Sequence, residues 1–346
     1  MSTAAAPRSR AVYSFVAGCA VGLFVATVGF ALVLRNAAGS GAATSMARTL
    51  TLAHSLDPSH PVHQAMEYMA RRVEELSNGR LRITIYHSGQ LGAETDCLEQ
   101  LQAGSLDITK VSTSPLESFV PEMAVFSMPY VFRDGEHFWR VLQSPLGQRL
   151  LQAGQNANVH GLCYYDAGAR SYYTVDRPVL SPADLRGMKI RVQKSKTAMD
   201  MVQAMGGLPT PIAWGELYSA LQQRMVDGAE NNPPSLYTSR HYEVARHYAL
   251  DEHTRTPDIV LIAQSTWKSL DPAQQRILQQ AADESSRFQR ELWKQKTAES
   301  IQAMEKLGVK IYQVDKQPFM QAVEPMLRGY DGTPMGRLIE EIRAIP

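Results

Sequence analysis

The stretch LRITIYHSGQLGAETDCLEQLQAGSLDITKV, residues 81–111, decides the class of fold. Leu81-Arg82-Ile83-Thr84-Ile85-Tyr86 alternates apolar and polar side chains, the period of a strand with one buried face. Glu94 to Ala103 reads as a helix closed by Gly104, and Leu106 to Val111 as a second strand. Upstream, Leu50 to His54 is a short apolar strand. A helix over Val62 to Leu76 follows, with Met66, Met69, Ala70 and Val73 on one face and Asn78-Gly79 as its stop. The resulting β-α-β-α-β order implies an α/β unit with a largely parallel sheet.

Downstream the rhythm returns. Gly161 to Ala167 and Met188 to Val192 read as strands, as does Val226 to Ala229. Ser181 caps a short helix with Pro182 in its first turn. Ala198 to Met205 is a helix stopped by Gly206-Gly207, and Glu216 to Arg224 is another. Asn232-Pro233-Pro234 reads as non-helical, because a residue before proline is pushed towards extended geometry. Asp271-Pro272 opens the longest helical pattern, which runs to Leu307 before Gly308. At 1.5 Å per residue it is about 54 Å long, more than one small domain needs, so it lies across two.

The 346 residues are 44% hydrophobic and 20% charged, an ordinary globular composition with length for about two domains. A net charge of +1 argues against nucleic acid, whose binding needs a basic surplus. Of three cysteines, Cys19 lies in an N-terminal apolar run, so at most one bridge, Cys97–Cys163, remains for the folded part. That run, Ala11 to Leu34, carries no charge, follows Arg8 and Arg10, and ends at Arg35. As a helix it is about 36 Å long, enough to span a bilayer. An uncleaved signal anchor is the first reading and a cleaved signal peptide the second. The arginines place the N-terminus inside and the body outside. Asn36 to Thr44 reads as a tether.

The sequence carries no Gly-rich phosphate loop, no Gly-x-Ser-x-Gly elbow and no His-Glu-x-x-His. His54, His60 and His63 cluster, but His60 precedes Pro61 at a helix start, which fits helix-start histidines better than metal ligands. Polar residues remain at strand ends, where open α/β sheets bind ligands. These are His54, Glu94, Lys110, Arg170, Arg191, Gln193, Glu230, Asn231 and Asn232. Arg191 stands out, because it sits inside the apolar strand Met188–Val192 and a guanidinium there needs an anion. The anion is either a ligand or an internal carboxylate. Glu94 is either a ligand contact or a helix N-terminal charge. Trp214 is either core or a lid over a sugar ring. Lys110 and Ser112 rank below the arginines, and Tyr172, Tyr173 and Tyr237 read as packing or rim.

From Thr49 to Asp315, roughly three quarters of the chain, the sequence resembles the solute-binding proteins of tripartite ATP-independent periplasmic (TRAP) transporters, the DctP-like family. The resemblance rests on Gly89-Gln90-Leu91-Gly92-Ala93-Glu94, Gln102-Ala103-Gly104-Ser105-Leu106-Asp107, Pro129-Tyr130-Val131-Phe132-Arg133 and Leu185-Arg186-Gly187-Met188-Lys189-Ile190-Arg191-Val192. Glu216 to Gln223, Val226 to Glu230 and Trp267 continue it in order. It implies a type II-like periplasmic binding protein of two α/β domains, 48–167 with 257–296 and 168–256 with 297–346, after a leader and tether of 1–47. It further implies a ligand cleft between them, a long helix across both, and Arg191 gripping a carboxylate through its planar fork. Arg170 matches a second family arginine; Asn231 and Glu94 match ligand contacts.

The expected function is an extracytoplasmic receptor for an organic acid that hands its ligand to a TRAP membrane permease, with no cofactor, no metal and no enzymatic role. Thr109 to Pro115 and Glu230 to Ser235 resemble the uronate-binding subset of the family, and His54, Glu94, Glu230, Asn231 and Asn232 offer partners for hydroxyls. C4-dicarboxylates and 2-oxo acids are the alternative ligands. A membrane-tethered sensor using the same cleft is the rival role, and an enzyme comes third for want of an acid/base pair. The expected location is the periplasm, at the outer face of the inner membrane if the anchor is kept.

Overall fold

Two mixed β-sheets divide the chain, for which a computed structural model describes residues 47–346. The apolar run, the tether and Cys19 lie outside the described residues. In chain order the strands are β1 (Arg48–Ala53), β2 (Leu81–Tyr86), β3 (Ile108–Ser112), β4 (Val159–Tyr165), β5 (Arg170–Thr174), β6 (Lys189–Val192), β7 (Leu208–Pro211), β8 (Gly228–Asn231), β9 (His247–Thr254), β10 (Asp258–Ala263) and β11 (Lys310–Gln313). One sheet has the order β2-β1-β3-β10-β4, the other β11-β9-β5-β8-β6-β7.

β1 pairs in parallel with β2 and β3, as the β-α-β reading of residues 81–111 expects. β10, however, runs antiparallel between β3 and β4. In the second sheet β6 is parallel to β7 and β8, and β11 to β9, while β5 is antiparallel to β8 and β9. The expected largely parallel sheet is therefore corrected to two mixed ones. The physical reason is connectivity: β10 enters the first sheet directly from the second, so no local crossover helix fixes its direction.

The chain passes between the sheets at 166–169 and again at 255–257, and a third time along the helix Pro272–Lys306. Asp271 caps that helix at Ala273 N and Gln274 N, Gln274 returns the bond to Asp271 N, and Pro272 fills a position needing no donor. Leu278, Ala281, Ala282 and Trp293 pack on the first sheet, whereas Met304 packs on the second, so its 35 residues span both. No helix among the described residues is long and apolar enough to cross a membrane.

Period-two alternation gives each sheet two cores. Along β10, Ile259, Leu261 and Ala263 join one cluster, and Val260 and Ile262 the other. Tyr172 and Tyr173 likewise enter opposite clusters of the second sheet. Within the segment 297–346, β11 extends the second sheet, while Ile339 and Ile342 of the helix Pro334–Ala344 pack with Phe138 and Leu142 beside the first. Cys97 and Cys163 are both free and buried, in clusters on opposite faces of the first sheet, so the one bridge the count left open is not formed. Burial pushes the Cys97 thiol up to about 11. Asn232-Pro233-Pro234 is also corrected. Asn232 is extended, yet its side chain accepts from Ser235 N at 2.9 Å and the prolines begin the helix Pro233–Thr238.

Candidate functional site

β3, β6 and β8 end at one place, and residues at or beside those ends line a cavity with the N-terminus of the helix Glu94–Ala103. The lining includes Glu94, Lys110, Ser112, Arg170, Arg191, Gln193, Trp214, Asn231, Asn232, Ser235, Asp258 and His60. The space open to the centre of a water molecule is about 40 Å³. A wider space of about 310 Å³ adjoins it and shares Ser55, Glu94, Arg191, Gln193 and Trp214.

Arg191 reaches the cavity because of strand geometry. Ile190 and Val192 turn into a core cluster, so the side chain between them points to the opposite face. It is 3% exposed. Nε donates to Ile212 O at 2.9 Å, and the guanidinium carbon lies 5.6 Å from the Trp214 ring centre. Nη1 is buried with no partner among the described residues, and no carboxylate there lies within ion-pair distance of Arg191. Burial pushes its pKa down from the usual arginine range. Of the two sequence readings, an internal salt bridge for Arg191 is thus not formed among the described residues.

Arg170 is spent differently. Nε and Nη2 grip Glu230 at 2.5 and 2.8 Å, Nη2 also donates to Glu230 O at 2.8 Å, and Nη1 donates to Asn231 Oδ1 at 3.0 Å. Asn231 Oδ1 also accepts from Asn232 N at 2.9 Å, which turns the amide so that Nδ2 is left to donate. Behind Glu230 stands His253, with Nε2 3.4 Å from the carboxylate and Nδ1 2.7 Å from Asp251. Burial opposes the charge on both. Arg170 and His253 nevertheless hold Glu230 down at about 2, and Asp251 and Glu230 raise His253 to about 9.

Across the cavity Lys110 Nζ lies 3.0 Å from Asp258 and 3.5 Å from Glu94. Burial lifts Asp258 to about 6 against the pull of Lys110. Glu94 Oε1 accepts from Ser112 N at 3.0 Å, and Oε2 has no hydrogen-bond partner among the described residues. His54 accepts from Leu56 N through Nδ1 at 3.1 Å, so its Nε2–H donates to His63 Nδ1 at 3.0 Å. His60 accepts from Val62 N, so its Nε2–H donates to Ser235 Oγ at 3.2 Å. These bonds fix the tautomers and occupy both ring nitrogens of His54 and His60. No group of metal-ligating side chains of three or more occurs among the described residues.

Arg191, Arg170, Asn231, Asn232, Glu94, Lys110, Trp214 and Gln193, all singled out in the sequence, therefore line one cavity. His54 and Glu230 do not. His54 is bonded within a histidine group, and Glu230 lies behind Arg170. Tyr172 and Tyr173 are fully buried core residues. Sequence reasoning missed Asp258 and Ser235. Asp258 opens a strand that was not read, and Ser235 sits in the helix that the prolines were taken to exclude.

The profile of bacterial extracellular solute-binding protein family 7 (DctP) matches residues 52–332. The uncharacterized protein YiiZ of Salmonella typhimurium is 39% identical over 287 residues, 82% of this chain and 88% of that one. Among solved structures, a TRAP periplasmic solute-binding protein from a Bradyrhizobium species, in complex with α/β-D-galacturonate, superposes with a TM-score of 0.83 at 38% identity. The match covers 86% of this chain and 99% of that one. One from Pseudomonas putida F1, with bound D-glucuronate, has a TM-score of 0.83 at 36% identity and covers 86% and 97%.

Proposed function

The chain belongs to bacterial extracellular solute-binding protein family 7, and from that premise we propose that its cavity takes a hexuronate, carboxylate on Arg191 and hydroxyls on the surrounding polar groups. The observation that carries this reading is the buried Nη1 of Arg191, a charged donor without a partner among the described residues in a cavity built of donors and acceptors. Glu94 Oε2 and Asp258 offer acceptors, and Asn231 Nδ2 offers donors, for hydroxyls. The solved relatives with bound galacturonate and glucuronate support the same ligand class. Residues 48–167 with 257–296 and 168–256 with 297–346 act as the two lobes, except that the helix Pro334–Ala344 returns to pack on the first, and the loaded protein delivers its ligand to a TRAP permease. The run Ala11–Leu34 holds it at the outer face of the inner membrane. Recovery of the whole protein as soluble periplasmic material beginning after Arg35 would reject that anchor.

A thermal-shift panel tests the ligand class, since a ligand that binds only the native state raises the midpoint. D-Galacturonate or D-glucuronate is expected to raise it more than succinate, which leaves the hydroxyl partners unpaired at about 1–3 kcal/mol each. A larger shift with succinate or pyruvate than with either uronate overturns the hexuronate reading.

A further inference from the structure

Glu117 sits at the C-terminal end of the short helix Thr113–Leu116, which follows β3 of the first sheet. It is 9% exposed. Its Oε1 accepts from Thr197 N at 3.0 Å, and Thr197 lies in the first turn of the helix Lys196–Ala204, which follows β6 of the second sheet. A carboxylate from one sheet thus meets the positive end of a helix from the other. Close by, Ser112 Oγ donates to Gln193 Oε1 at 3.3 Å, between the same two post-strand segments. Arg191 stands two residues before Gln193 and six before Thr197. These bonds hold the strand end that carries Arg191 against the strand end that carries Lys110.

We propose that Glu117 is a latch: it positions Arg191 over the cavity by holding the two lobes together, and it slows ligand release without touching the ligand. Its other oxygen explains why the latch does not close the protein unaided. Oε2 is buried with no partner among the described residues, whereas separation of the lobes would let water reach both oxygens. Part of what the Thr197 bond and the helix dipole contribute is therefore offset, and a ligand bridging the cavity supplies the rest. Ser112–Gln193 and His60–Ser235 also cross between the sheets, but both are bonds between uncharged groups, His60 being kept neutral by burial. Glu117 brings a charge to this junction.

The inference rests on the binding function proposed above. Stopped-flow and calorimetric titration with D-galacturonate test it on the wild type, Glu117→Ala and Glu117→Gln. Loss of a hydrogen bond to a charged group predicts a release rate about tenfold higher in Glu117→Ala, with the association rate changed by less than about twofold. Glu117→Gln keeps an acceptor for Thr197 N without the charge and falls between the two. The thermal midpoint without ligand, measured alongside, excludes general unfolding as the cause. Wild-type release rates in Glu117→Ala, or a loss confined to association, overturn the latch. If the alanine chain does not fold, the glutamine chain decides, with release at least about threefold faster supporting the latch and an unchanged rate overturning it. If the wild type does not bind galacturonate, D-glucuronate, succinate and pyruvate are taken in turn, so a wrong ligand class leaves the latch readable. A wild type that binds none of them removes both readings.

Discussion

Two arginines that look alike in sequence do different work. Arg170 is fully engaged by Glu230 and Asn231, while Arg191 keeps a buried donor without a partner among the described residues. Removing Arg170 strands Glu230 in the interior, so Arg170→Ala is expected to lose about 3–5 kcal/mol of stability by urea denaturation without any ligand. Arg191→Ala strands no carboxylate and relieves a desolvated charge. It is expected to leave ligand-free stability within about 1 kcal/mol of wild type while losing about 2–5 kcal/mol of ligand binding. Arg191→Lys is expected to bind poorly too, because an ammonium lacks the fork. Equal destabilisation by the two alanine variants would show that the division of labour is wrong. Arg191 was legible because a cation inside an apolar strand needs an anion, although the sequence left a ligand and an internal carboxylate as equal readings. The commitment of Glu230 to Arg170 was not, because the partners lie 60 residues apart and meet only when β5 pairs with β8. Glu117 gave no sequence signal for the same reason.

At the level of elements, the strands that were read are those flanked by local punctuation. Residues 81–111 carry their own turns, a helix stop at Gly104 and clean alternation, and the structure follows them closely. The sequence reading lacks β5, β7, β9, β10 and β11. Asp258-Ile259-Val260-Leu261-Ile262-Ala263 is buried at every position, so its alternation between two cores is hidden inside one apolar run. The helix after Asn232 was missed because two prolines were read as breakers, although in a first turn they lack only donors the helix does not use. The crossings between sheets are equally local in cause. Gly168, between β4 and β5, has φ +60°, and a Cβ there would lie 2.9 Å from Trp293 Nε1 on the long helix. Gly168→Ala is therefore expected to lose at least about 1–2 kcal/mol from the left-handed backbone alone, read as a lower urea midpoint. A midpoint equal to wild type would mean that this crossing relaxes freely and does not fix the long helix against the strands.

For the molecule as a whole, the two-sheet plan and the long helix were legible from rhythm and length, and the balance of buried histidines was not. That balance sets how stability depends on pH. His54, His60 and His241 are buried and neutral, and burial is the main cause. It lowers His54 to about 2, His241 to about 3 and His60 well below its usual value. A depressed pKa means that the unfolded chain binds the proton more readily. Each group's contribution is therefore present above its unfolded pKa of 6.5 and lost as pH falls. By pH 5 each costs about 2 kcal/mol. His253 has the opposite sign. Asp251 and Glu230 overcome its burial and raise it to about 9, so its contribution is complete below 6.5 and fades as pH rises through 9. Glu230, held at about 2, stays ionised across this window and adds no slope of its own until the pH falls below 4.5. His63, His137, His160 and His247 are lowered in the same direction, so they add to the acid penalty, while Asp258, raised by burial to about 6, offsets part of it below that pH. With His253 penalising alkali, stability is expected to peak near neutrality and fall more steeply towards pH 5 than towards pH 9. Urea denaturation of the ligand-free protein from pH 5 to 9 checks the asymmetry. His241→Gln removes one of the first three; the His241 ring bonds the Tyr173 hydroxyl and packs 4.9 Å from the Trp214 ring. Its stability should fall less steeply by about 1.2 kcal/mol per pH unit near pH 5.5, one proton's share of the slope. A wild-type profile that is flat between pH 7 and 5, or a His241→Gln slope equal to wild type, would mean that these histidines titrate in the folded protein and that their burial does not govern its acid stability.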